Sequence, residues 1–276
     1  MYYWLFRLFP KSAFSRMMGW FADRAWSPRI LRLVIRFYVW FYEIDMREFA
    51  LPIASYSTFT EFFTRPVRPD SRPVLSDPRM LASPVDGAVS EAGTIRKGRL
   101  IQAKGRDYSL ELLLGGDPGW KSYENGQFAT LYLSPRDYHR IHAPCAGSVR
   151  RFRYVPGELW TVGPAGVKGV PGLFSRSERL VTFLATEFGE VAVVAVGATI
   201  VGRIRVVYHS LTSNRPGASP LAETLSEPFP LAKGSELGRF ELGSTVILLT
   251  RPGEVELHPL RPGDPVRMGS PIGRVL

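Results

Sequence analysis

Two histidines, one aspartate and one serine carry most of the chemistry open to this chain. His139 and His142 fall within Leu133-Ser134-Pro135-Arg136-Asp137-Tyr138-His139-Arg140-Ile141-His142-Ala143-Pro144, and the only other histidines are His209 and His258. Imidazole titrates near neutrality, so two rings in one short segment suit proton transfer. Asp86 lies in Ser83-Pro84-Val85-Asp86-Gly87, where aspartate before glycine is also ordinary turn chemistry. Ser244 stands in Leu242-Gly243-Ser244-Thr245, which runs into apolar Val246-Ile247-Leu248-Leu249. A Gly-Ser bond opening a strand is either a plain turn or a self-cleavage site, because glycine lets the peptide bend and leaves its carbonyl open to the next hydroxyl. Asp86, His142 and Ser244 could form a relay in which the carboxylate orients the ring, the ring takes the hydroxyl proton and the oxygen attacks. His139, His142 and Cys145 are spaced three apart like metal ligands. Zinc, however, needs three or four well-directed donors and Pro144 stiffens the chain, so no metal is expected.

Short strands and turns must position these groups. The chain has 276 residues, 45% hydrophobic and 22% charged, which is enough to bury a full core. Its 26 glycines and 23 prolines point to many turns, and the runs 128–133, 190–196 and 245–250 read as strands between them. The expected class is α+β, mainly β, with N-terminal amphipathic helices followed by a β barrel or sandwich core. Two related units are expected in that core. Pro84-Val85-Asp86-Gly87-Ala88-Val89 and Pro144-Cys145-Ala146-Gly147-Ser148-Val149 share Pro-x-x-Gly-x-Val at an offset of 60 residues. The second copy carries Ala146 in place of Asp86, so the turn itself needs no carboxylate. The tail from Leu260 to Val275 resembles the hairpin of biotinyl and lipoyl carriers, although no lysine follows Lys233.

The formal charge of +10 calls for an acidic partner. Residues 1–50 hold 15 of the 34 aromatic residues and 8 Lys/Arg against 4 Asp/Glu, which favours an anionic membrane surface over nucleic acid. Spacing predicts an amphipathic helix from Leu31 to Tyr42, with Leu31, Val34, Ile35, Tyr38 and Phe41 on its apolar face. Its longest uncharged stretch, Phe37 to Tyr42, is far short of the roughly 20 residues that span a bilayer. It is expected to lie on the membrane, with packing on the protein's own core as the alternative. Arg7, Lys11 and Arg16 interrupt the apolar runs, unlike a signal peptide. Residues 1–63 therefore read as a membrane-associating helical segment and 64–79, with four prolines and four arginines, as a linker. Residues 80–276 remain as a β-rich catalytic domain. Cys145 is the only cysteine, so no intrachain disulfide forms.

The order of these pieces resembles the phosphatidylserine decarboxylase proenzymes of the bacterial, membrane-associated type. The resemblance runs through Thr58-Phe59-Thr60-Glu61-Phe62-Phe63-Thr64-Arg65, the Asp86 turn, the histidine segment and Tyr154-Val155-Pro156-Gly157. It continues through Val196-Gly197-Ala198-Thr199-Ile200-Val201-Gly202 and Gly238-Arg239-Phe240 to Ser244. One departure is Ser177 before Glu178-Arg179, where the family has asparagine. The resemblance implies that Asp86, His142 and Ser244 cut the chain between Gly243 and Ser244. The β chain (1–243) and α chain (244–276) would stay together as a heterodimer, with a dimer of that pair as a further expectation. Ser244 would become a covalent pyruvoyl group, derived pyruvate being the only cofactor. That group would form a Schiff base with the amine of phosphatidylserine and release CO2 and phosphatidylethanolamine, with His139 assisting the decarboxylation. The implied enzyme is a pyruvoyl-dependent carboxy-lyase, peripheral on the cytoplasmic face of the cell membrane.

Two other classes fit parts of the chain. A Ser-His-Asp hydrolase would want Gly-x-Ser-x-Gly, but Leu242 and Val246 stand at the glycine positions. A non-catalytic, membrane-bound carrier or binding barrel fits the basic N-terminus and the lipoyl-like tail.

Overall fold

Continuous apolar runs need protein on both sides of a sheet, and that requirement shapes the core. The computed structural model describes residues 11–103, 106–199, 202–241 and 244–276. Gly243, Leu242, Ile200, Val201 and the first ten residues lie outside the described residues, and Ser244 is described through its backbone. The first strands are β1 (Met80–Ala82), β2 (Gly87–Thr94), β3 (Arg99–Ala103), β4 (Arg106–Ser109) and β5 (Gln127–Leu133). Next come β6 (Arg140–His142), β7 (Gly147–Val155), β8 (Arg179–Thr186), β9 (Gly189–Gly197), β10 (Arg203–Val206) and β11 (Leu221–Leu231). The chain ends with β12 (Glu236–Glu241), β13 (Ser244–Leu249), β14 (Val255–Leu257), β15 (Pro265–Val266) and β16 (Pro271–Val275).

The main element is an eight-stranded antiparallel sheet in the order β11-β7-β8-β9-β13-β5-β2-β15. Inside it, Ser244 of β13 pairs with Leu133 of β5 on one side and Gly197 of β9 on the other. Val246 and Leu248 enter one core layer while Ile247 and Leu249 enter the other, the period-two alternation of a strand buried on both faces. The small sheets β10-β12-β6 and β1-β16-β14 cover one face, and the β3-β4 hairpin with two single-turn helices covers the other. The barrel half of the sequence expectation is therefore corrected: the large sheet stays open, ending at β11 and β15. A small barrel has one interior, whereas strands apolar on both faces need a layer on each.

The repeat has a structural counterpart. Each copy is a three-residue strand, a bend and a long strand, β1 to β2 and β6 to β7. The copies bond reciprocally: Ala82 N–H donates to Pro144 C=O (2.9 Å) and His142 N–H to Pro84 C=O (2.8 Å). Two further segments extend the relation, Leu231-Ala232-Lys233-Gly234-Ser235-Glu236-Leu237-Gly238-Arg239 and Val266-Arg267-Met268-Gly269-Ser270-Pro271-Ile272-Gly273-Arg274. Gly234 and Gly269 both take left-handed backbone (φ 78 and 86), which glycine reaches without steric cost. They donate to the equivalent carbonyls of Ala143 and Ser83.

Three helices overlie this core: α1 (Lys11–Asp23), α2 (Pro28–Phe41) and α3 (Phe59–Phe63). Pro28 suits the first turn of α2, where its missing N–H has no partner to lose. The expected apolar face divides. Leu31 and Ile35 are buried with Ile44, Phe49 and Phe62, whereas Val34 and Phe41 of the same face are exposed, as are Leu33 (70%) and Trp40 (72%) outside it. On α3, Thr58 Oγ1 caps the Glu61 N–H (3.1 Å) and Glu61 reaches back to the Ser57 N–H (2.7 Å). Among the described residues no helix is long and apolar enough to cross a membrane. Prolines keep 64–79 irregular, yet the segment is tied to the core. Val67 bridges Phe49, Arg65 is fully buried over the Phe49 ring (4.1 Å), and Arg72 is buried beside Asp86.

Candidate active site

Asp86 occupies the bend between β1 and β2. A Cβ on the next residue, Gly87 (φ 150), would lie 2.2 Å from Tyr132 O, so only glycine lets β2 approach β5 this closely. Asp86 Oδ1 accepts from Met268 N–H (2.8 Å) and from Arg72 Nε (2.9 Å), and Oδ2 accepts from Arg72 Nη2 (2.5 Å). Arg72 Nη2 also donates to Glu48 (2.8 Å). A guanidinium buried to this degree is stable only when paired.

Both imidazoles are held as neutral rings. His142 Nδ1 lies 2.8 Å from Gly234 O, and because a carbonyl only accepts, Nδ1 carries the proton. His142 Nε2 then accepts from Tyr138 O–H at 2.9 Å. Burial lowers its pKa, against smaller opposing effects that include the charges of Glu236 and Asp86. His139 Nδ1–H donates to Asp137 O (2.8 Å), while among the described residues its buried Nε2 has no hydrogen-bond partner. Burial, with help from the Arg65 charge, pushes the His139 pKa down to about 3, so Nε2 presents a free lone pair. Arg65 Nη2 donates to Arg136 O (2.9 Å) and so holds the loop leading into this ring.

The groups predicted from sequence converge only in part. Asp86 and His142 come together through the Pro84 bond, but Gly234 fixes the His142 tautomer while Asp86 is occupied by Arg72 and Met268. Register places His142 opposite Glu236, whereas His139 O accepts from Phe240 N–H (2.9 Å), nearer the end of β12 that leads to Ser244. A cavity of about 520 Å³ lies between the helices and the large sheet, lined among others by Leu31, Tyr38, Phe59, Phe63, Leu133 and Ala198. Leu133 is the strand partner of Ser244, and Ala198 follows its other partner, Gly197. Phe63 packs on the His139 ring at 4.1 Å between centroids. The cavity thus runs from the helices to Leu133, the strand partner of Ser244, and to Phe63, which packs on His139.

Sequence reasoning passed over Tyr138, Arg72 and Arg65. Tyr138 was signalled by its place four residues before His142, but a tyrosine in a loop has many uses. The two arginines lie in a segment whose prolines suggest a linker. Ser177, at the departure from the family pattern, donates to Leu173 O (2.8 Å), while Glu178 accepts from Tyr154 O–H and from Asn214 N–H (2.6 Å). Cys145 is buried, its thiol pKa pushed up to about 12, and among the described residues no three metal-ligand side chains converge.

Fold and site define a mainly β protein with two buried neutral imidazoles, one of which, His139, packs against Phe63 in the wall of an apolar, helix-covered cavity. The profile of the phosphatidylserine decarboxylase family matches residues 59–274. The chain is 51% identical over 272 residues to the phosphatidylserine decarboxylase proenzyme of Anaeromyxobacter sp. (strain K), covering 97% of this chain and 95% of that one. It is 44% identical over 278 residues to the proenzyme of Yersinia enterocolitica, covering 98% and 94%, and 42% identical over 282 residues to that of Erwinia tasmaniensis, covering 98% and 92%. The chain belongs to the phosphatidylserine decarboxylase family.

Proposed function

We propose that this chain is the proenzyme of a pyruvoyl-dependent decarboxylase that converts phosphatidylserine to phosphatidylethanolamine and CO2 on the cytoplasmic face of the cell membrane. The observation that carries this reading is the apolar cavity ending beside the Ser244 backbone. Acyl chains need apolar walls, and the headgroup amine needs a reactive group where those walls end. Outside the cavity, exposed Leu33, Phe37 and Trp40 stand beside exposed Arg29, Arg32 and Arg36, a face suited to anionic lipid. Residues 1–63 form the membrane-associating layer, 64–79 the tie to the catalytic domain, and 80–276 that domain. The reciprocal bonds support reading its paired units as biotinyl/lipoyl-like halves.

In self-cleavage His142 takes the Ser244 hydroxyl proton and the oxygen attacks the Gly243 carbonyl. The Gly243–Ser244 C–N bond breaks as the ester forms, and the nitrogen gains a proton to become an amine. Elimination of the Gly243 carboxylate, with loss of the Ser244 α-proton, leaves a dehydroalanine. Water then displaces ammonia to give the pyruvoyl group. Neutral His142, with its proton fixed on Nδ1 by Gly234, has the lone pair this base role needs. Asp86 contributes through its charge and by anchoring the bend that bonds to His142.

The residues present fit a pyruvoyl group. Ser244 opens β13, so a cut before it leaves the strand paired on both sides, and His139 Nε2 is a buried polar atom without a partner among the described residues. Once formed, the group supplies an electron sink for the charge left when CO2 departs. His139 assists the decarboxylation, while the cavity walls exclude water. One observation favours exchanging the two histidine roles: among the described residues His139 Nε2 has no hydrogen-bond partner, and His139 lies nearer Ser244 in register.

Intact mass under denaturing conditions tests the reading. The purified chain should give fragments 1–243 and 244–276, the smaller without a free N-terminal amine, and Ser244→Ala should stay whole. Cutting at that bond in Ser244→Ala would sink the mechanism. His142→Ala should remain whole, while His139→Ala should be cut but decarboxylate at least about a hundredfold more slowly. The opposite pattern assigns the exchanged roles.

A further inference from the structure

Asp23, Arg203 and Glu241 form a chain of ion pairs from the last residue of α1 to the last residue of β12. Arg203 Nη1 and Nη2 donate to the two Asp23 oxygens, each at 2.6 Å. Arg203 Nε lies 2.7 Å from Glu241 Oε2, a charge contact without the alignment of a hydrogen bond, and Arg205 Nε lies 2.8 Å from Oε1. Arg203 and Glu241 are direct cross-strand partners where β10 begins and β12 ends. The Glu241 side chain is only 7% exposed, so without its cations it would be a buried, unpaired charge. Asp23 also accepts from Thr60 Oγ1 (2.7 Å) on α3, the helix whose Phe63 packs on His139. Burial opposes ionisation of Asp23, but the bonds from Arg203 and Thr60 outweigh it and hold the carboxyl below its ordinary value.

We propose that Arg203 is a positioning residue for self-cleavage, which carries the docking of helix α1 through Glu241 to the chain entering Ser244. The proposal rests on Gly243–Ser244 being the bond that is cut. Glu241 precedes that bond by two residues, and through Arg203 it is anchored to the end of helix α1. Attack by a hydroxyl on the preceding carbonyl tolerates little error, a 1 Å misplacement costing roughly a hundredfold in rate. Neither Asp23 nor Arg203 is asked to touch the reacting atoms. Their part is to hold β12 in register with β10 at the point where it leaves the sheet. The proenzyme is thereby set to mature when its helix layer is docked.

The test follows freshly synthesised full-length chains over time by denaturing electrophoresis and intact mass. Wild type should be cut and Ser244→Ala should not. A wild-type chain that stays whole overturns the reading of the bond itself, and this proposal with it. Asp23→Asn should slow cutting about tenfold and Arg203→Gln more, while melting temperature and decarboxylation per matured Asp23→Asn chain stay near wild type. Arg203→Lys and Asp23→Glu, which keep the charges, should cut faster than the neutral variants. If Arg203→Gln does not fold, Asp23→Asn decides, because that side chain is 41% exposed and its loss leaves the core intact. Wild-type cutting rates in Asp23→Asn, or conservative variants as slow as neutral ones, overturn the proposal.

Discussion

His139 shows how burial holds an imidazole neutral. Stripped of water, with its one N–H committed to Asp137 O, the ring keeps Nε2 unprotonated and, among the described residues, without a partner, behind Phe63 of the cavity wall. The folded pKa of about 3 lies below the unfolded value of roughly 6.5, so between them the unfolded chain binds the extra proton. The associated stability is therefore complete above about pH 6.5 and falls as pH drops toward 3. Urea unfolding midpoints measured across this window should decline more steeply for wild type than for His139→Asn, which has nothing to protonate. Equal slopes would mean that the ring is not buried as neutral imidazole. Asp86 makes the complementary point: its visible partners are Arg72 and Met268, so part of its importance is structural.

At the scale of the element, α2 meets two demands at once. Leu31 and Ile35 bury one edge, each worth roughly 1.5–3 kcal/mol, and this edge docks the helix. Phe37, Trp40 and Leu33 remain on the outside, where they contribute little to folding. Core packing and the proposed lipid binding thus fall on adjacent stripes of one helix. Replacing Phe37 and Trp40 together by serine should leave the melting temperature within about 2 °C. The same change should weaken binding to vesicles containing anionic lipid at least about tenfold, each ring being an interfacial anchor. Co-sedimentation at several salt concentrations measures this, and unchanged binding would place the anchor elsewhere.

Across the whole molecule, the sheet explains how a chain can be cut and stay assembled. β13 is held along its length by β5 and β9, and β16 lies between β1 and β14. The segment 244–276 therefore supplies the interior strands β13 and β16 as well as the edge strands β14 and β15. Val246, Ile247, Leu248 and Leu249 are all buried, on alternate faces. After cutting, both fragments should co-elute in gel filtration without denaturant and separate in concentrated guanidinium chloride. Separation under native conditions would contradict this topology.

What the sequence determined by itself was local. The runs 128–133, 190–196 and 245–250 became β5, β9 and β13 because their apolar residues cannot face water on either side. The Pro-x-x-Gly-x-Val repeat became two matching bends, since proline and glycine constrain the backbone wherever they stand. The segment carrying His139 and His142 was legible as chemistry from residue type alone. Tertiary structure decided the rest. Only long-range pairing could show that Arg72, in a proline-rich stretch, is buried on Asp86, or that Gly234 fixes the His142 tautomer. The open sheet could not be told from a barrel, because strand alternation reports which faces are buried and not whether the first and last strands meet. The divided face of α2 was hidden for a similar reason: an apolar side chain prefers burial equally in protein and in lipid, and only the packed core shows which residues the protein has covered.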